Sequence, residues 1–340
     1  MVTPFPLLEL DEHLSPRRLR YIAEAIQSGS IRRAAERLEV EPSVISRQIR
    51  RLEASLGVRL LERHGRGVRA TEAGLLLLDF HRERRVAEEA LLGDFSALDG
   101  LERGTLRLAV SEGYSERLMQ QVITRFARRH PRLRIELMIA NVQVVVRQVL
   151  EGDAHIGLGY SPRLVPGIES VASAPQPVCA VVNANHPLTR LEQPLSLDTI
   201  LDYPVALVAS GYGLRQLLDT VEALDKCHFE PNLESNSLAM LREYVCDTQA
   251  VTFLANPPYT ESLAPGRLRA LSIDHPILNA AEVHLMVRQH RPLSRACQHL
   301  LEEIRRLPPF GEGSAALEGE GDHGIDASFS RGQHQQPIDA

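Results

Sequence analysis

The feature that most constrains the fold of this chain is a change in the spacing of its apolar residues at Gly104. Before that residue, apolar side chains recur mainly at the three-to-four-residue spacing of amphipathic helices. After it, segments with alternating apolar residues, such as 106–110 and 133–139, are separated by segments with helical spacing. An alternation of strands with helices predicts a parallel sheet. We therefore expect a helical front part followed by a larger α/β part.

Three short helices are predicted in the front part, between Ser15 and Gly57. Gly29 and Gly57 follow the last apolar residue of a helical pattern, which is where glycine commonly ends a helix. Ser30 and Ser43 are expected to cap the second and the third helix. Because the second and third helices are joined by a tight connection, the pattern predicts a helix-turn-helix.

Two short strands and one long helix are predicted next. The strands, at 58–61 and 68–70, surround a glycine-flanked turn that would present Arg66. Thr71 is then expected to cap a long helix that includes most of 75–103. The apolar edge of this helix is too long for one small domain to cover, which is typical of helices that pair with a partner.

The charge distribution separates the same two parts. The 340-residue chain has a formal net charge of −6, but residues 14–74 hold thirteen arginines against seven glutamates. The front part therefore carries +6 and the remainder carries −12. A basic front part on an acidic chain indicates a nucleic-acid partner for that part alone.

The third helix is predicted to place polar residues opposite its buried stripe. An α-helix fits the major groove, where arginine can donate two hydrogen bonds to guanine. Arg47 and Arg50 are expected to play this role, with Ser43 and Ser46 contacting phosphate or bases, and Arg66 entering the minor groove. The alternative is that the arginine-rich faces are merely solvated. Three further arginines are expected near phosphates: Arg32, Arg33 and Arg51.

Four motifs in the front part resemble the DNA-binding domain of LysR-type transcriptional regulators. They are AAERL, SRQIRRLE, LGVRLLER and TEAG, in the order and at the spacing of that family. Weaker similarity, carried by GTLRLAV, FARRHPRLRIEL and the HPL at 186–188, extends to about Arg306. The resemblance implies a winged helix-turn-helix, a linker helix that dimerises, and a two-lobed α/β effector domain like periplasmic binding proteins. It also implies a tetramer of paired dimers.

The resemblance and the predicted elements together imply four parts. These are a DNA-binding domain (14–74), a linker helix (75–103), an effector domain (104–306) and a disordered tail (307–340). Within the effector domain we expect lobe I to comprise 104–165 and 272–306, and lobe II to comprise 166–271.

The predicted function is that of a ligand-responsive, non-enzymatic transcriptional regulator without a cofactor. Its expected partners are double-stranded promoter DNA, a small-molecule effector, further copies of the chain and RNA polymerase. One alternative is a redox-responsive regulator that uses Cys227 and Cys246. Another is a DNA-tethered α/β enzyme, but the chain contains no GxSxG, no P-loop and no GxGxxG after the first strand of the α/β part.

The effector is expected to bind between the lobes. In open α/β sheets, ligands bind at the carboxyl ends of the strands, near helix N-termini. Ser111 and Asn236 could instead be ordinary cap or turn residues. Glu112 favours a cationic or hydroxylated ligand, whereas Arg215 favours an organic acid, and without ligand the two could pair with each other. The candidate residues are Ser111, Glu112, Gly113, Asn141 and Tyr160 in lobe I, and Ser210, Gly211, Arg215 and Asn236 in lobe II.

Three positions depart from the pattern of the family. Pro42 and Ser43 replace a Gln followed by a small residue, His155 stands where an Asp is common, and residues 248–250 replace a Gly-x-Gly. Proline has no N–H and no polar side chain, so it cannot supply the contact that a glutamine makes. The other two departures are expected to alter the ligand pocket.

Targeting signals are not expected. The first fourteen residues lack a basic segment and contain three acidic residues, which does not fit a secretory signal. The leucine run at 75–78 is far shorter than a membrane span. The four cysteines form no CxxC pair, which is typical of a cytoplasmic protein with reduced thiols.

Overall fold

The computed structural model describes residues 14–65, 67–98, 104–255 and 266–311. Within these ranges the chain forms a small helical domain with a two-stranded wing, one long helix and two five-stranded sheets. None of the described helices is both long enough and apolar enough to cross a membrane. Arg66 and residues 312–340, for which we made predictions, lie outside the described residues.

The front part is the predicted winged helix-turn-helix. Its helices are α1 (Pro16–Ser28), α2 (Ile31–Leu38) and α3 (Pro42–Leu56), and its wing consists of β1 (Leu61–His64) and β2 (Gly67–Ala70). Apolar side chains from all three helices share one core, which the strands and the start of the following helix complete.

One of the two predicted serine caps is confirmed and the other is wrong. The Ser30 hydroxyl accepts the backbone N–H of Arg33 at 3.4 Å, as expected for the cap of α2. Helix α3, however, begins at Pro42, with Glu41 in the cap position. Proline has no N–H to leave unpaired and a φ suited to the first helical turn, so the helix begins two residues earlier than predicted. Ser43 therefore lies inside the first turn.

The first strand of the wing begins where it was predicted to end. Residues 58–60 are not a strand, and pairing starts at Leu61. Glu53 explains the difference, because its Oε1 accepts the backbone N–H groups of Leu60 at 2.8 Å and of Leu61 at 3.2 Å. These two contacts tie the segment to α3 before the wing begins.

The long linker helix, α4, is continuous over Glu72–Leu98. Thr71 is its cap, as predicted: the Thr71 hydroxyl accepts the backbone N–H of Gly74 at 3.1 Å. A Cβ on Gly74 would lie 2.1 Å from the Leu60 carbonyl oxygen, so the first turn of α4 packs directly on the segment that leads into the wing. This close approach fixes the direction in which the helix leaves the DNA-binding domain.

The chain then alternates between strands and helices. The elements of its first half are β3 (Gly104–Val110), α5 (Glu112–Leu118), α6 (Thr124–Arg129), β4 (Leu133–Ile139), α7 (Val142–Leu150), β5 (Ile156–Tyr160) and β6 (Ile168–Pro175). The following elements are β7 (Val178–Asn183), α8 (Leu197–Leu201), β8 (Val205–Val208), α9 (Gly213–Asp225), β9 (Pro231–Ser235), α10 (Leu238–Cys246), β10 (Val251–Ala255) and β11 (Leu268–Ser272). The described α/β part ends with α11 (Pro276–Asn279), β12 (Glu282–Arg288) and α12 (Arg295–Arg305).

These elements form two lobes, each built on one sheet. The sheet of lobe I has the strand order β4-β3-β5-β12-β6, and that of lobe II has the order β11-β7-β10-β8-β9. Strand β3 pairs in parallel with β4 and β5, and β12 returns to lobe I antiparallel to β5. The parallel β-α-β-α-β unit and the return of the last strand were both predicted.

The predicted lobe boundaries and the start of the tail are wrong. Strand β6 pairs with β12, so the chain leaves lobe I after Pro175 rather than at residue 165. Helix α11 still contacts α9 and β7 of lobe II, so the return to lobe I follows Asn279 rather than residue 272. Leu307 and Phe310 pack against the main core, so the ordered part extends beyond the predicted end at residue 306.

Candidate DNA-binding face and effector cleft

Helix α3 has one buried side and one arginine-rich side. Ile45, Ile49 and Leu52 are buried in the core of the domain. Arg47 and Arg50 are exposed on the other side, and within the described ranges neither guanidinium is held by an ion pair. Both side chains are therefore free to meet the edges of bases if α3 enters a major groove.

The other predicted DNA contacts surround this helix. Ser43 is exposed in the first turn of α3, where unpaired backbone N–H groups attract phosphate. Ser46 is half-buried. Arg33 is exposed, whereas Arg32 is 3.5 Å from the Glu36 carboxylate on the same helix. Of these two arginines, Arg33 is therefore the one with its full charge available to phosphate.

The wing is held firmly against the helices. Its strands are antiparallel, and His64 is opposite Gly67. The backbone N–H of Val68 donates to the carbonyl oxygen of Gly29 at 2.9 Å, and a Cβ on Gly67 would lie only 2.3 Å from the same oxygen. The two strands of the wing, which flank Arg66 in the sequence, are thus fixed to the end of α1.

At the carboxyl ends of the strands, a carboxylate of lobe I caps a helix of lobe II. The Glu112 Oε1 atom accepts the Ser237 hydroxyl at 3.0 Å. The same oxygen accepts the backbone N–H of Leu238 at 2.9 Å and that of Ala239 at 3.5 Å. A carboxylate is favourable at a helix N-terminus, where the backbone N–H groups have no partner within the helix. Glu112 therefore links the two lobes.

The backbones of the two lobes also approach closely. A Cβ on Gly213, at the start of α9, would lie 1.9 Å from the Tyr160 carbonyl oxygen in lobe I. A Cβ on Gly113 would make an ordinary contact with Leu238, at 3.5 Å. The predicted effector loops of the two lobes thus meet directly.

Asn141 and Gly211 face each other across this junction. The Asn141 side chain accepts the backbone N–H of Val144 at 3.0 Å and so caps α7. Its Nδ2 atom would lie 3.3 Å from a Cβ on Gly211, which has a positive φ of 90°. Ser210 is exposed beside it. The Asn141 amide nitrogen is therefore directed at the loop that contains Ser210.

Ser111 has a buried hydroxyl with no hydrogen-bond partner among the described residues. Ser111 is only 7% exposed and occupies the cap position of α5, but its side chain does not cap the helix. Buried polar groups are nearly always paired. The Ser111 hydroxyl is thus the cleft group whose hydrogen-bonding capacity is most clearly unused.

Three other predicted effector residues are engaged in contacts of their own. The buried Tyr160 hydroxyl donates to the Gln176 carbonyl oxygen at 2.8 Å, and burial raises the pKa of Tyr160 well above its usual value. The Asn236 carbonyl oxygen accepts the Tyr212 hydroxyl at 2.5 Å. The third residue, Arg215, forms ion pairs within lobe II.

Arg215 is neutralised within lobe II. Its guanidinium is 2.7 Å from Asp219 and 3.2 Å from Glu234. The expected pairing between Glu112 and Arg215 without ligand is therefore not observed. Glu112 instead contacts the start of α10 across the junction, and Arg215 pairs within its own lobe, neither of which sequence spacing reveals.

The departures from the family pattern lie away from this junction. His155 contacts Arg107 and Glu89, at the opposite end of the lobe I sheet. In lobe II, the Gln249 carbonyl oxygen is 3.1 Å from the His186 Nε2 atom, and Thr248 lies beside it. Neither of these two departures therefore lies at the junction where we expect the effector to bind.

Sequence reasoning missed one residue of the junction, Gly213, and the contact that Ser237 makes with Glu112. Ser237 belongs to a polar segment that directly precedes an apolar helical pattern, which is a recognisable helix start. Its partner on the other lobe could not be identified from spacing. The role of Gly213 depends on a contact with a distant backbone, which no local pattern encodes.

The two cysteines of the redox alternative do not have the properties of reactive thiols. Cys227 and Cys246 are free and half-buried, and burial raises the pKa of both thiols, which disfavours the reactive thiolate. Within the described ranges, no three His, Cys, Asp or Glu side chains are grouped closely enough to bind a metal ion.

Both parts of the chain match known protein families. Residues 16–75 match the family model of the bacterial regulatory helix-turn-helix protein, lysR family, and residues 99–308 match that of the LysR substrate binding domain. A relative from a Pseudomonas species, the SDS degradation transcriptional activation protein, is 28% identical over 307 residues. That alignment covers 86% of this chain and 97% of the relative.

Two solved structures have a similar fold. A full-length OxyR variant from Pseudomonas aeruginosa superposes with a TM-score of 0.61 at 21% identity, covering 86% of this chain and 94% of that chain. HinK, a LysR family transcriptional regulator from Pseudomonas aeruginosa, superposes with a TM-score of 0.51 at 19% identity, covering 86% and 97%. The two family models together account for the helical front part and for both lobes, and the protein therefore belongs to the LysR family of ligand-responsive, DNA-binding transcriptional regulators.

Proposed function

We propose that α3 and the wing bind promoter DNA and that a small molecule bound between the lobes controls this binding without chemical turnover. The observation that carries the proposal is the junction between the lobes. There the Glu112 carboxylate of lobe I caps α10 of lobe II, next to the unpaired Ser111 hydroxyl. A ligand that enters this junction must change the separation of the lobes, and only such a difference between states can shift an equilibrium.

At the DNA end, we assign base contacts to Arg47 and Arg50. Their exposure and lack of an ion pair within the described part of the chain support this role. Ser43, Ser46 and Arg33 are assigned to phosphate, with weaker roles for Arg32, which has an acidic neighbour, and for Arg51. Arg66 is assigned to the minor groove, because the strands that carry it are fixed to the helices.

At the effector end, we assign the ligand to the hydrogen-bonding groups that the junction leaves available. These are the Ser111 hydroxyl, the Asn141 amide nitrogen and the exposed Ser210 hydroxyl. Gly113 and Gly211 allow close approach of the ligand to the backbone. Glu112 would exchange its contacts with α10 for contacts with the ligand, whereas Arg215, Tyr160 and Asn236 support the walls of the site.

We further propose that the protein acts as a homodimer or homotetramer assembled through α4. Leu91 and Phe95 of this helix are 54% and 55% exposed, which is unfavourable for large apolar side chains in water. Pairing of two such helices in copies of the chain would bury them. RNA polymerase is proposed as the partner through which bound protein alters transcription.

The DNA-binding proposal is tested with Arg47→Ala and the DNA upstream of the protein's own gene. If Arg47 contacts a base, binding should weaken by about 1–3 kcal/mol per half-site, and discrimination at one base pair should relax. Fluorescence anisotropy with a set of single-base variants measures both effects. Arg128→Ala, an exposed arginine on α6, is the matched control. Wild-type affinity in the Arg47 variant would refute the assignment.

The effector proposal is tested by a thermal-shift screen of small metabolites on the full-length protein. Each stabilising compound is then incubated with the protein and examined for chemical conversion. We expect stabilisation without conversion, and loss of the stabilisation in Ser111→Ala. Formation of a product would contradict a purely regulatory role, and an unchanged shift in the Ser111 variant would remove Ser111 from the site.

A further inference from the structure

A second cavity, of about 760 Å³, lies between the linker helix and lobe I. One wall is formed by α4, and the opposite wall is formed by the start of β3 and the start of α12. The effector junction is at the other end of β3, where Ser111 follows the strand. The cavity is therefore separate from the junction between the lobes.

The floor of this cavity has more positive than negative charge. Arg107 and Arg291 both line it, and both pair with Glu89, at 2.6 Å and 3.7 Å. Glu89 is the only acidic residue among the described residues that line the cavity, so the two guanidinium groups share one carboxylate, which Arg85 of α4 also approaches at 3.5 Å.

The Arg291 side chain is buried, and a buried guanidinium needs a counter-charge more than an exposed one does. Its side chain is only 2% exposed, and burial lowers its pKa to about 10. Its Nη1 atom donates to the carbonyl oxygens of Gly152 and Ala154, at 3.2 Å and 2.9 Å. These two oxygens are neutral, so the charge of Arg291 is compensated only by the Glu89 carboxylate that it shares with Arg107. A buried charge without a full counter-charge is costly, so an added anion would be stabilised here.

His155 does not provide the missing negative charge. Its Nδ1 atom accepts the backbone N–H of Arg107 at 3.1 Å, which places the ring proton of the neutral imidazole on Nε2. Nε2 is 3.5 Å from Glu89, so it too is a donor to the same carboxylate. Three donors of lobe I thus converge on one acceptor of the linker helix.

The rest of the cavity is partly cationic and partly apolar. Arg132 and Arg295 are exposed at its margin, and no described residue forms an ion pair with either of them. Val86, Leu106 and Leu293 supply apolar surface. A ligand that fits this combination has an anionic head and an apolar body.

We propose that this cavity is a second ligand site and that it binds an amphipathic carboxylate. The head group completes the charge balance of Arg107 and Arg291, and the apolar body lies against Val86 and Leu106. Because Glu89 is part of α4, the ligand shares Arg107 and Arg291 with the contact that holds the linker helix to lobe I. Ligand binding in this cavity therefore affects the contacts of α4, the helix that leads to the DNA-binding domain.

The probe for this site is hexanoate, compared with hexanol, which has the same apolar chain without the charge. Isothermal titration calorimetry with the full-length protein measures both. We expect hexanoate to bind and hexanol to bind at least about tenfold more weakly, the factor that corresponds to one charge-assisted hydrogen bond. Equal binding of the two compounds would overturn the proposal.

Substitutions that change the charge of the cavity test whether hexanoate binds there. The double variant Arg132→Gln/Arg295→Gln, on the exposed margin, should weaken hexanoate binding, and Arg128→Gln, outside the cavity, should leave it unchanged. Glu89→Gln should tighten binding, because it removes the one competing carboxylate. A purely structural role of Glu89 predicts the opposite change, so weaker binding in Glu89→Gln would overturn the proposal.

The Ser111→Ala variant distinguishes binding in the cavity from binding in the junction between the lobes. Hexanoate binding should be unaffected by this substitution, since Ser111 is at the other end of β3. Loss of hexanoate binding in Ser111→Ala, with retention in the arginine double variant, would place the ligand in the junction and reject the second site. Because the readout is binding of hexanoate, the result does not depend on whether the proposed effector function is correct.

Discussion

At the scale of single residues, two glycines at the lobe junction leave very different amounts of space for an added Cβ. A Cβ on Gly213 would overlap the Tyr160 carbonyl oxygen at 1.9 Å, whereas a Cβ on Gly113 would meet the Leu238 side chain at 3.5 Å. The first contact is with backbone, which cannot move without shifting a strand. The second is an ordinary van der Waals contact with a flexible side chain.

We therefore expect Gly213→Ala to force the lobes apart. Overpacking of this kind typically costs about 1–3 kcal/mol, so the melting temperature should fall and the radius of gyration should increase. Gly113→Ala is the matched control and should change neither quantity. Thermal denaturation and small-angle X-ray scattering measure the two effects. Identical behaviour of the two variants would show that the lobes do not meet at Tyr160 in solution.

The lowered pKa of Glu89 is expected to make the stability of the protein depend on pH. Burial acts to raise the pKa of Glu89, but the hydrogen bonds with His155 and Arg107 and the charge of Arg107 outweigh it and lower the pKa to about 2. A carboxyl whose pKa is lower in the folded state stabilises that state above its unfolded pKa, and the benefit is lost as the pH falls through the folded pKa.

Glu89→Gln should accordingly reduce the free energy of unfolding near neutral pH. After allowance for the partial exposure of Glu89, which weakens ion pairs, the loss should be about 1 kcal/mol. The difference from the wild type should shrink as the pH falls from about 4.5 toward about 2. Urea denaturation at a series of pH values measures it. A difference that grows in acid would contradict the assigned contacts.

At the scale of elements, segments with a regular apolar pattern were predictable and segments without one were not. The long helix α4 and the strand β4 have such patterns, and the structure places both close to their predicted bounds. Strand β9, by contrast, is an edge strand whose residues are mainly exposed, and so its sequence lacks alternation. Strand β6 was missed as well, which moved a lobe boundary.

The candidate effector site could be predicted only to the level of loops. The rule that ligands bind at the carboxyl ends of strands selected Ser111 and Glu112 correctly as junction residues. Which side chains are already engaged depends on contacts between residues far apart in the chain. Glu112 contacts Ser237, and Arg215 contacts Glu234, and neither pair has a sequence signal.

The cap that Glu112 places on α10 should control how far the lobes open. Glu112→Ala removes the acceptor for the Ser237 hydroxyl and for two backbone N–H groups. We expect a larger radius of gyration by small-angle X-ray scattering, because little else compensates the helix N-terminus. Glu116→Ala is the control: Glu116 is on the same helix, but its contact with Arg242 across the lobes is longer, at 3.8 Å. Equal expansion in both variants would mean that the cap is not what holds the lobes.

At the scale of the whole molecule, we expect the linker helix to connect assembly with DNA binding. Leu91 and Phe95 are exposed along α4 in the single chain. Leu91→Glu and Phe95→Glu should convert the assembled protein to monomers in analytical ultracentrifugation, since two charges would be buried in the pairing surface. Met240→Glu, at an apolar residue of lobe II that is 58% exposed, is the control and should leave assembly unchanged. Unaltered sedimentation of the α4 variants would exclude pairing through this edge.

The separation of charge along the chain gives the last prediction. Although the whole protein carries −6, residues 14–74 carry +6, so DNA binding should depend on that part alone. The logarithm of the association constant should fall linearly with the logarithm of salt concentration, by about 0.9 for each phosphate neutralised. Arg33→Ala should reduce this slope by about 0.9 if Arg33 meets one phosphate, whereas Arg32, already close to Glu36, should contribute less. Arg128→Ala should leave the slope unchanged, because its charge lies in the effector domain. A slope that responds equally to all three substitutions would show that the net charge of the molecule, rather than its distribution, governs binding to DNA.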